Sequence, residues 1–404
     1  MEGSNNKEIL LIYIVSTLYI IFPMVIDVAS FLDELLVLLL ALYGIKNYKR
    51  VNTKETRYAI ILILFFLAYS LAFGVNTKSA IFLDFILFLK PLICFYVTYH
   101  VSLVISEKTR CSLKRLYIIL FIYLLLILPF IDIIFTNTTV YYPGCLLCAS
   151  SYLLFSEKRK NDWIIALIML TPGLFTIRAK FFTIYIIYVF IAFFLKSRIK
   201  FNVKWLVLLF LIAAVAIYVS WDKFNGYFIV GVDEAQARSI CYFYSVDVIK
   251  DYFPFGPGFG SYCSEAAARY YSPLYEQYGM SSIWGLREED YMTEADFLKD
   301  TFYPVLAQFG IIGIYLYYRF WKNRWNEGKK LIGADYRLFV FLFFVVLIQN
   351  IADNAFTGPT CVPLMMSIGL ILHQMNDTTN DLVRVNGIKK KAKRVINYES
   401  SYCT

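Results

Sequence analysis

Apolar stretches long enough to cross a lipid bilayer recur along most of this 404-residue chain, and the region 221–303 interrupts them. A spanning helix needs about 20 mainly apolar residues, because the bilayer offers the backbone no other hydrogen-bonding partner. Charged residues make up 17% of the chain, against roughly 25% in soluble proteins. These features predict an all-α polytopic integral membrane protein with one large extracytoplasmic loop that contains short helices.

On this measure we expect about twelve transmembrane helices. The first nine fall in 1–220, the large loop in 221–303, the last three in 304–375, and a cytoplasmic basic tail in 376–404. The expected helices lie at 9–26, 31–45, 58–75, 80–105, 113–135, 141–155, 163–176, 180–196, 203–220, 304–320, 336–353 and 359–375.

Basic residues alternate between the two ends of these expected helices. Clusters of lysine and arginine follow each even-numbered helix, whereas the segments after odd-numbered helices are poor in bases. Because bases stay on the cytoplasmic side, both termini are expected in the cytoplasm and the loop outside it. The loop has thirteen acidic and six basic residues, a net charge of −7, against +9 for the whole chain. Orientation in a membrane therefore explains the surplus of bases, and no nucleic-acid partner is expected.

Two basic residues break this alternation, and a third lies inside an expected helix. Arg178 and Lys180 follow an odd-numbered helix, where they either snorkel at the interface or bind an anionic headgroup in the outer leaflet, and we favour the headgroup for Arg178. Lys90 precedes Pro91 inside the fourth expected helix. There it can snorkel, pair with Asp84 or line a substrate cavity.

The first half of the loop offers groups that suit an anion. Arg238 opens a segment with the apolar spacing of a helix at the membrane surface, and its guanidinium fork matches phosphate oxygens, although a salt bridge to a nearby acid is the alternative. Gly256, Gly258 and Gly260 alternate in the following turn. Such glycines let backbone N–H groups converge on an anion, or let another segment approach closely.

The end of the loop is acidic. Glu294, Asp296 and Asp300 precede the tenth expected helix, and one of them is a candidate general base. Histidine does not compete on the outer face, because the only two, His100 and His373, are expected near cytoplasmic helix ends.

Further loop residues are candidates for substrate binding, namely Arg269, Arg287 and Tyr303. The loop also holds eleven tyrosines and two tryptophans. Aromatic faces stack on sugar rings, and they also form belts at membrane interfaces, so both interpretations stand.

The cysteines do not indicate a metal centre. Cys145 and Cys148 form a CxxC pair inside an apolar segment without a second pair or a nearby histidine, so packing of small residues explains them better than a zinc site. Cys241 and Cys263 fall in the loop and could form a disulfide in an oxidising compartment.

The order of these features resembles the bacterial O-antigen polymerase and O-antigen ligase families. The resemblance covers roughly 170–320: Arg178 between mid-chain helices, Arg238 opening a late outer loop, the turn Pro254-Phe-Gly-Pro-Gly-Phe-Gly260, and an acid before Tyr303-Pro-Val-Leu-Ala-Gln-Phe-Gly-Ile-Ile-Gly313. Ligases share a histidine late in the loop, where this chain has acids, and that departure favours a polymerase.

The resemblance implies glycosyl transfer, without a metal or cofactor, on the outer face of a bacterial inner membrane. An undecaprenyl-diphosphate-linked glycan serves as donor, and the acceptor is the next lipid-linked repeat unit of an O-antigen or capsular-type polysaccharide. Arg178 and Arg238 would stabilise the leaving diphosphate, and a carboxylate would take the acceptor proton. Membrane lipids, a chain-length regulator and a flippase are the implied partners.

Other functions fit parts of the sequence. An O-antigen ligase would pass the glycan to lipid A core, and a glycosyltransferase with a lipid-monophosphate donor would place acids in its first outer loop, as Asp27, Asp33 and Glu34 are here. A transporter or flippase would need polar or broken helices at the membrane midplane. A binding or structural membrane protein explains the misplaced arginines poorly.

Overall fold

A computed structural model describes the helical body of the chain. It covers residues 2–22, 31–101, 103, 105–130, 141–195, 237–293, 296–351 and 353–373. Every regular element in these ranges is a helix, and the described part contains no strand. The α-helices, numbered in order, are α1 Glu2–Ile21, α2 Leu32–Lys46, α3 Tyr48–Val51, α4 Lys54–Phe73, α5 Lys78–His100, α6 Glu107–Ile127, α7 Tyr141–Phe155, α8 Lys160–Leu170, α9 Ala179–Val189, α10 Ala237–Asp251, α11 Glu265–Arg269, α12 Pro273–Gln277, α13 Gly310–Gly328, α14 Gly333–Gln349 and α15 Cys361–His373.

Three described helices are long and apolar enough to cross a membrane: α4, α5 and α6 with its continuation to Phe130. The helices α9, with its π-helical extension to Phe194, and α15 are apolar but shorter. A helix occupies each of the other expected positions except 203–220, which lies outside the described residues. The basic tail expected at 376–404 also lies outside them.

The centre of the body is α7, in which every residue is buried. It packs against α1, α6, α8 and α14. Cys148 on α7 donates its thiol hydrogen to the carbonyl of Tyr117 on α6 (3.0 Å), and Cys145 is buried as well. Both cysteines therefore pack in the core, in agreement with the packing interpretation.

The loop that precedes α13 is fixed onto α4 and α5 through a buried carboxylate and a buried amide. Asp84 on α5 accepts hydrogen bonds from the backbone N–H of Gly260 (2.8 Å) and from the side-chain amide of Gln308 (2.7 Å). The carbonyl of Gln308 accepts from the N–H of Gly258 (2.9 Å), and Ser70 on α4 accepts from the N–H of Phe259 (2.8 Å). The glycine turn, the start of α13 and two apolar helices thus form one unit.

The two histidines lie at the opposite end of α5 from this unit. His100 ends α5 beside the hydroxyl of Thr56 (3.1 Å), and His373 contacts the carbonyl of Tyr99 (2.7 Å). Since α5 rises about 1.5 Å per residue, His100 lies roughly 24 Å along the helix from Asp84. The histidines are therefore remote from the loop.

Candidate functional site

The guanidinium of Arg238 lies against a carboxylate at the end of the loop. Its Nε donates to Oδ2 of Asp300 (3.1 Å), and its Nη2 donates to the same oxygen. The guanidinium also lies over the ring of Phe297, 5.0 Å from the ring centre. Arg238 is held by α10, and Tyr242, one turn further along α10, donates its hydroxyl to the carbonyl of Ile351 (2.6 Å). This docks the Arg238 helix beside the turn that follows α14.

A second cation meets a second carboxylate in that turn. Lys180 on α9 donates its Nζ to Oδ2 of Asp353 (2.8 Å), and the buried Tyr142 on α7 donates its hydroxyl to the same oxygen (3.1 Å). The Lys180 ammonium lies 5.2 Å from the centre of the Tyr142 ring. Because α9 packs against α14, Lys180 lies close enough to the turn after α14 to bind Asp353.

Arg178 is the N-cap of α9, where its carbonyl starts the helix. Ile177 before it has φ +52°, a conformation that a β-branched residue rarely adopts. Strained backbone of this kind clusters at functional sites. The turn at Ile177 redirects the chain so that α9 begins at the arginine.

The two cation–carboxylate pairs belong to one site. Tyr242, on the helix that carries Arg238, donates its hydroxyl to the carbonyl of Ile351, two positions before Asp353, and Arg178 caps the helix that carries Lys180. The backbone N–H of Phe302 donates to the carbonyl of Asn350 (3.3 Å), so the segments that carry Asp300 and Asp353 run side by side. We call Arg178, Lys180, Arg238, Asp300, Asp353 and Tyr142 the cationic site.

Sequence reasoning missed two members of this site, Tyr142 and Asp353. Asp353 falls at the end of an expected helix, and Tyr142 falls at the start of another with the aromatic content of an interfacial belt. A charged residue at a helix end is the one signal that pointed to Asp353.

Asp296 belongs to a different cluster. Its side chain is 4% exposed, and its Oδ2 accepts from Lys299 (3.2 Å) and from the N–H of Met292 (3.0 Å). Lys299 also pairs with Glu265 (3.3 Å), which accepts from the Tyr291 hydroxyl (2.9 Å). Burial acts to lower the pKa of Lys299, but Glu265 and Asp296 outweigh it and hold that pKa above its ordinary value.

This cluster bears on the choice of the base. An acceptor hydroxyl reaches a carboxylate only if the carboxylate is accessible, and Asp296 is enclosed while Asp300 is 31% exposed. Glu294, the third predicted base, lies outside the described residues. Of the two described acids, Asp300 is thus the better placed.

The glycine turn holds the loop together rather than offering free donors. The N–H groups of Gly256, Gly258 and Gly260 donate to the carbonyls of Tyr252 and Gln308 and to Asp84, respectively. These N–H groups, predicted to bind an anion, are therefore already bonded to protein acceptors. Close approach, the alternative expectation, is what the structure shows: a Cβ on Gly256 would lie 2.4 Å from the carbonyl oxygen of Gln308.

Lys90 does not pair with Asp84. Its buried ammonium binds Asp33 (2.7 Å) and Glu34 on α2, and α5 continues through Pro91. Asp84 is instead taken up by the loop contacts described above. Lys90 therefore belongs to an ion cluster between α2 and α5.

The remaining candidates lie elsewhere on the loop. Arg269 is exposed beside the ring of Tyr270, and Tyr303 donates its hydroxyl to the carbonyl of Leu347 (2.8 Å). Arg287 pairs with Glu289 (3.1 Å) and lines an open pocket of about 530 Å³. The other lining residues are Tyr271, Glu276, Ser281, Glu288 and Glu289. Burial and nearby carboxylates raise the pKa of Tyr271 to about 12.

Cys241 and Cys263 are buried free thiols that contact each other. Burial, followed by the neighbouring thiol, raises the pKa of Cys263 well above its ordinary value. The structure thus brings the two predicted disulfide partners together in the reduced form.

The cationic site consists mainly of ion pairs between carboxylates and cations rather than of a set of metal ligands. In the described part of the chain, no three histidine, cysteine or acidic side chains lie together in a way that could hold a metal ion. The chain matches no protein-family model, no curated protein and no solved structure.

Proposed function

We propose that the chain is a glycosyltransferase that polymerises polyprenyl-diphosphate-linked oligosaccharide repeat units on the outer face of a bacterial inner membrane. One observation carries this proposal. Arg238 pairs with Asp300 and Lys180 pairs with Asp353 in neighbouring segments, although these four residues come from four separate parts of the sequence. Fixed cations beside carboxylates suit a reaction that expels a diphosphate and removes a proton.

In the proposed reaction, the acceptor hydroxyl gives its proton to Asp300 while its oxygen forms a bond to the anomeric carbon of the donor. The bond between that carbon and the diphosphate oxygen breaks, and the electron pair leaves with the diphosphate. Arg178, Arg238 and Lys180 stabilise the charge that grows on the leaving group. Stabilisation that is stronger in the transition state than in the ground state raises the rate.

The membrane arrangement is part of the same proposal. About twelve spans would place the loop and the cationic site outside and the histidine end of α5 in the cytoplasm. The apolar helices α4 and α5, to which the loop is fixed, would offer the polyprenyl chain a lipid-facing surface next to the site.

Transport of a lipid-linked glycan is the second candidate function. The buried Lys90 cluster with Asp33 and Glu34 favours it, because ionisable groups inside a membrane often mark a transport path. A ligase would use the same cationic site with a different acceptor.

Deletion of the gene in its host separates these functions. Surface glycan reduced to a single repeat unit supports the polymerase, whereas full-length glycan left on its lipid carrier indicates a ligase. Accumulation of unextended repeat units on the cytoplasmic face would indicate a flippase. A normal length distribution of the glycan would contradict the proposal.

A further inference from the structure

Two cations of the cationic site are occupied by carboxylates of the chain itself. Arg238 directs its Nε and Nη2 hydrogens to one oxygen of Asp300, and Lys180 directs its ammonium to one oxygen of Asp353. A guanidinium fork and an ammonium bind phosphate oxygens by the same contacts. The two aspartates therefore occupy the contacts that a bound diphosphate would make.

These pairs are accessible enough to be exchanged. Side-chain exposure is 25% for Arg238 and 31% for Asp300, and it is 13% for Lys180 and 40% for Asp353. Ion pairs that water reaches contribute little net stability, so a more highly charged anion can replace one partner. The Lys90 pair with Asp33 shows the contrast, since both side chains are 5% exposed or less.

We propose that Asp300 and Asp353 hold Arg238 and Lys180 in the resting protein and that a lipid diphosphate displaces them. The identity of this ligand rests on the proposed function. Displacement frees Oδ2 of Asp300 from the guanidinium, so this oxygen becomes available to the acceptor hydroxyl once the donor has bound. The exchange thus orders the two steps, with donor binding before proton removal.

The displaced carboxylates also oppose the ligand. When only a fraction of the protein is in the state that can bind, the apparent affinity for the ligand is reduced by that fraction. In addition, a carboxylate close to a diphosphate repels it. Neutralising either aspartate should therefore tighten binding of a diphosphate, although the same change at Asp300 removes the proton acceptor and slows turnover.

Inorganic pyrophosphate is the probe, and the full chain in phosphatidylcholine nanodiscs is the protein, so that anionic lipid does not compete. We expect Asp300→Asn and Asp353→Asn each to bind pyrophosphate at least about threefold more tightly than the wild type. Asp247→Asn is the matched control, because Asp247 pairs with the exposed Lys250 on the same loop (3.1 Å). It removes one negative charge without touching the cationic site and should leave the affinity unchanged.

The outcomes distinguish this inference from the proposed function. Equal or weaker binding by both aspartate variants, or equal tightening by Asp247→Asn, overturns the displacement mechanism. Arg238→Ala should lose pyrophosphate binding whatever the affinity of the two aspartate variants is. If Arg238→Ala still binds pyrophosphate, the proposed function is overturned as well. Tighter binding together with slower chain extension in Asp300→Asn supports both steps.

Discussion

The side-chain amide of Gln308 donates a hydrogen bond to Asp84, 224 positions earlier in the chain, at 2.7 Å. Both residues are fully buried. A buried carboxylate is costly unless it is hydrogen-bonded, and here the amide and the N–H of Gly260 supply the bonds. This contact fixes the end of the loop to an apolar helix and thereby sets where Asp300 and Arg238 meet.

The close approach of the glycine turn to Gln308 should be essential for folding. A methyl group at Gly256 would lie 2.4 Å from the Gln308 carbonyl oxygen, and φ is +75°. Gly279 is the matched control, since its φ is +68° and a Cβ there meets nothing within 4 Å. We expect Gly279→Ala to cost about 1–2 kcal/mol through backbone strain alone, and Gly256→Ala to lower the melting temperature much further. Equal melting temperatures for the two variants in detergent would contradict the packing described.

Asp296 and Asp300 should respond differently to the same substitution. Asp296→Asn weakens an enclosed pair with Lys299 and should cost about 1–3 kcal/mol of stability, whereas Asp300→Asn changes a half-exposed pair worth about 0–1 kcal/mol. Thermal unfolding and glycan length, measured on both variants, check this. Unchanged stability with complete loss of chain extension in Asp296→Asn would identify Asp296 as the base instead.

Lys299 should make the loop sensitive to alkaline pH. Its pKa in the folded protein lies above the ordinary value of 10.5, so the charged form is favoured by folding. The stabilisation is complete below that ordinary value and is lost as the pH rises through the folded pKa. Above pH 10.5 we expect the melting temperature of the wild type to fall as the pH rises. The melting temperature of Lys299→Arg should fall less, because arginine stays charged. An identical fall in both proteins would show that tyrosine ionisation alone is responsible.

The length of the apolar segments was sufficient to predict α4 and α5. The apolar segments expected at 58–75 and 80–105 correspond to α4 and α5, because burial in a membrane or core imposes long apolar runs. The ends differ by several residues: α5 ends at His100, five positions before the expected boundary.

Partners of charged side chains could not be predicted in the same way. Asp84, six positions away, was one of the expected partners of Lys90, but Asp33 and Glu34 on another helix bind it instead. Asp353 escaped notice because its partners, Lys180 and Tyr142, lie more than 170 positions away in the sequence. Tertiary packing determines which charged residues pair, and no local pattern in a single sequence reveals that packing.

The decisive measurement is chain extension by the purified protein in nanodiscs, with undecaprenyl-diphosphate-linked repeat units as substrate. We expect Arg178→Ala and Arg238→Ala each to abolish polymer formation and release of undecaprenyl diphosphate, while both variants insert and melt as the wild type does. Lys250→Ala, at an exposed lysine of the loop outside the cationic site, should keep full activity. Normal polymer length in both the Arg178 and the Arg238 variants would contradict the account.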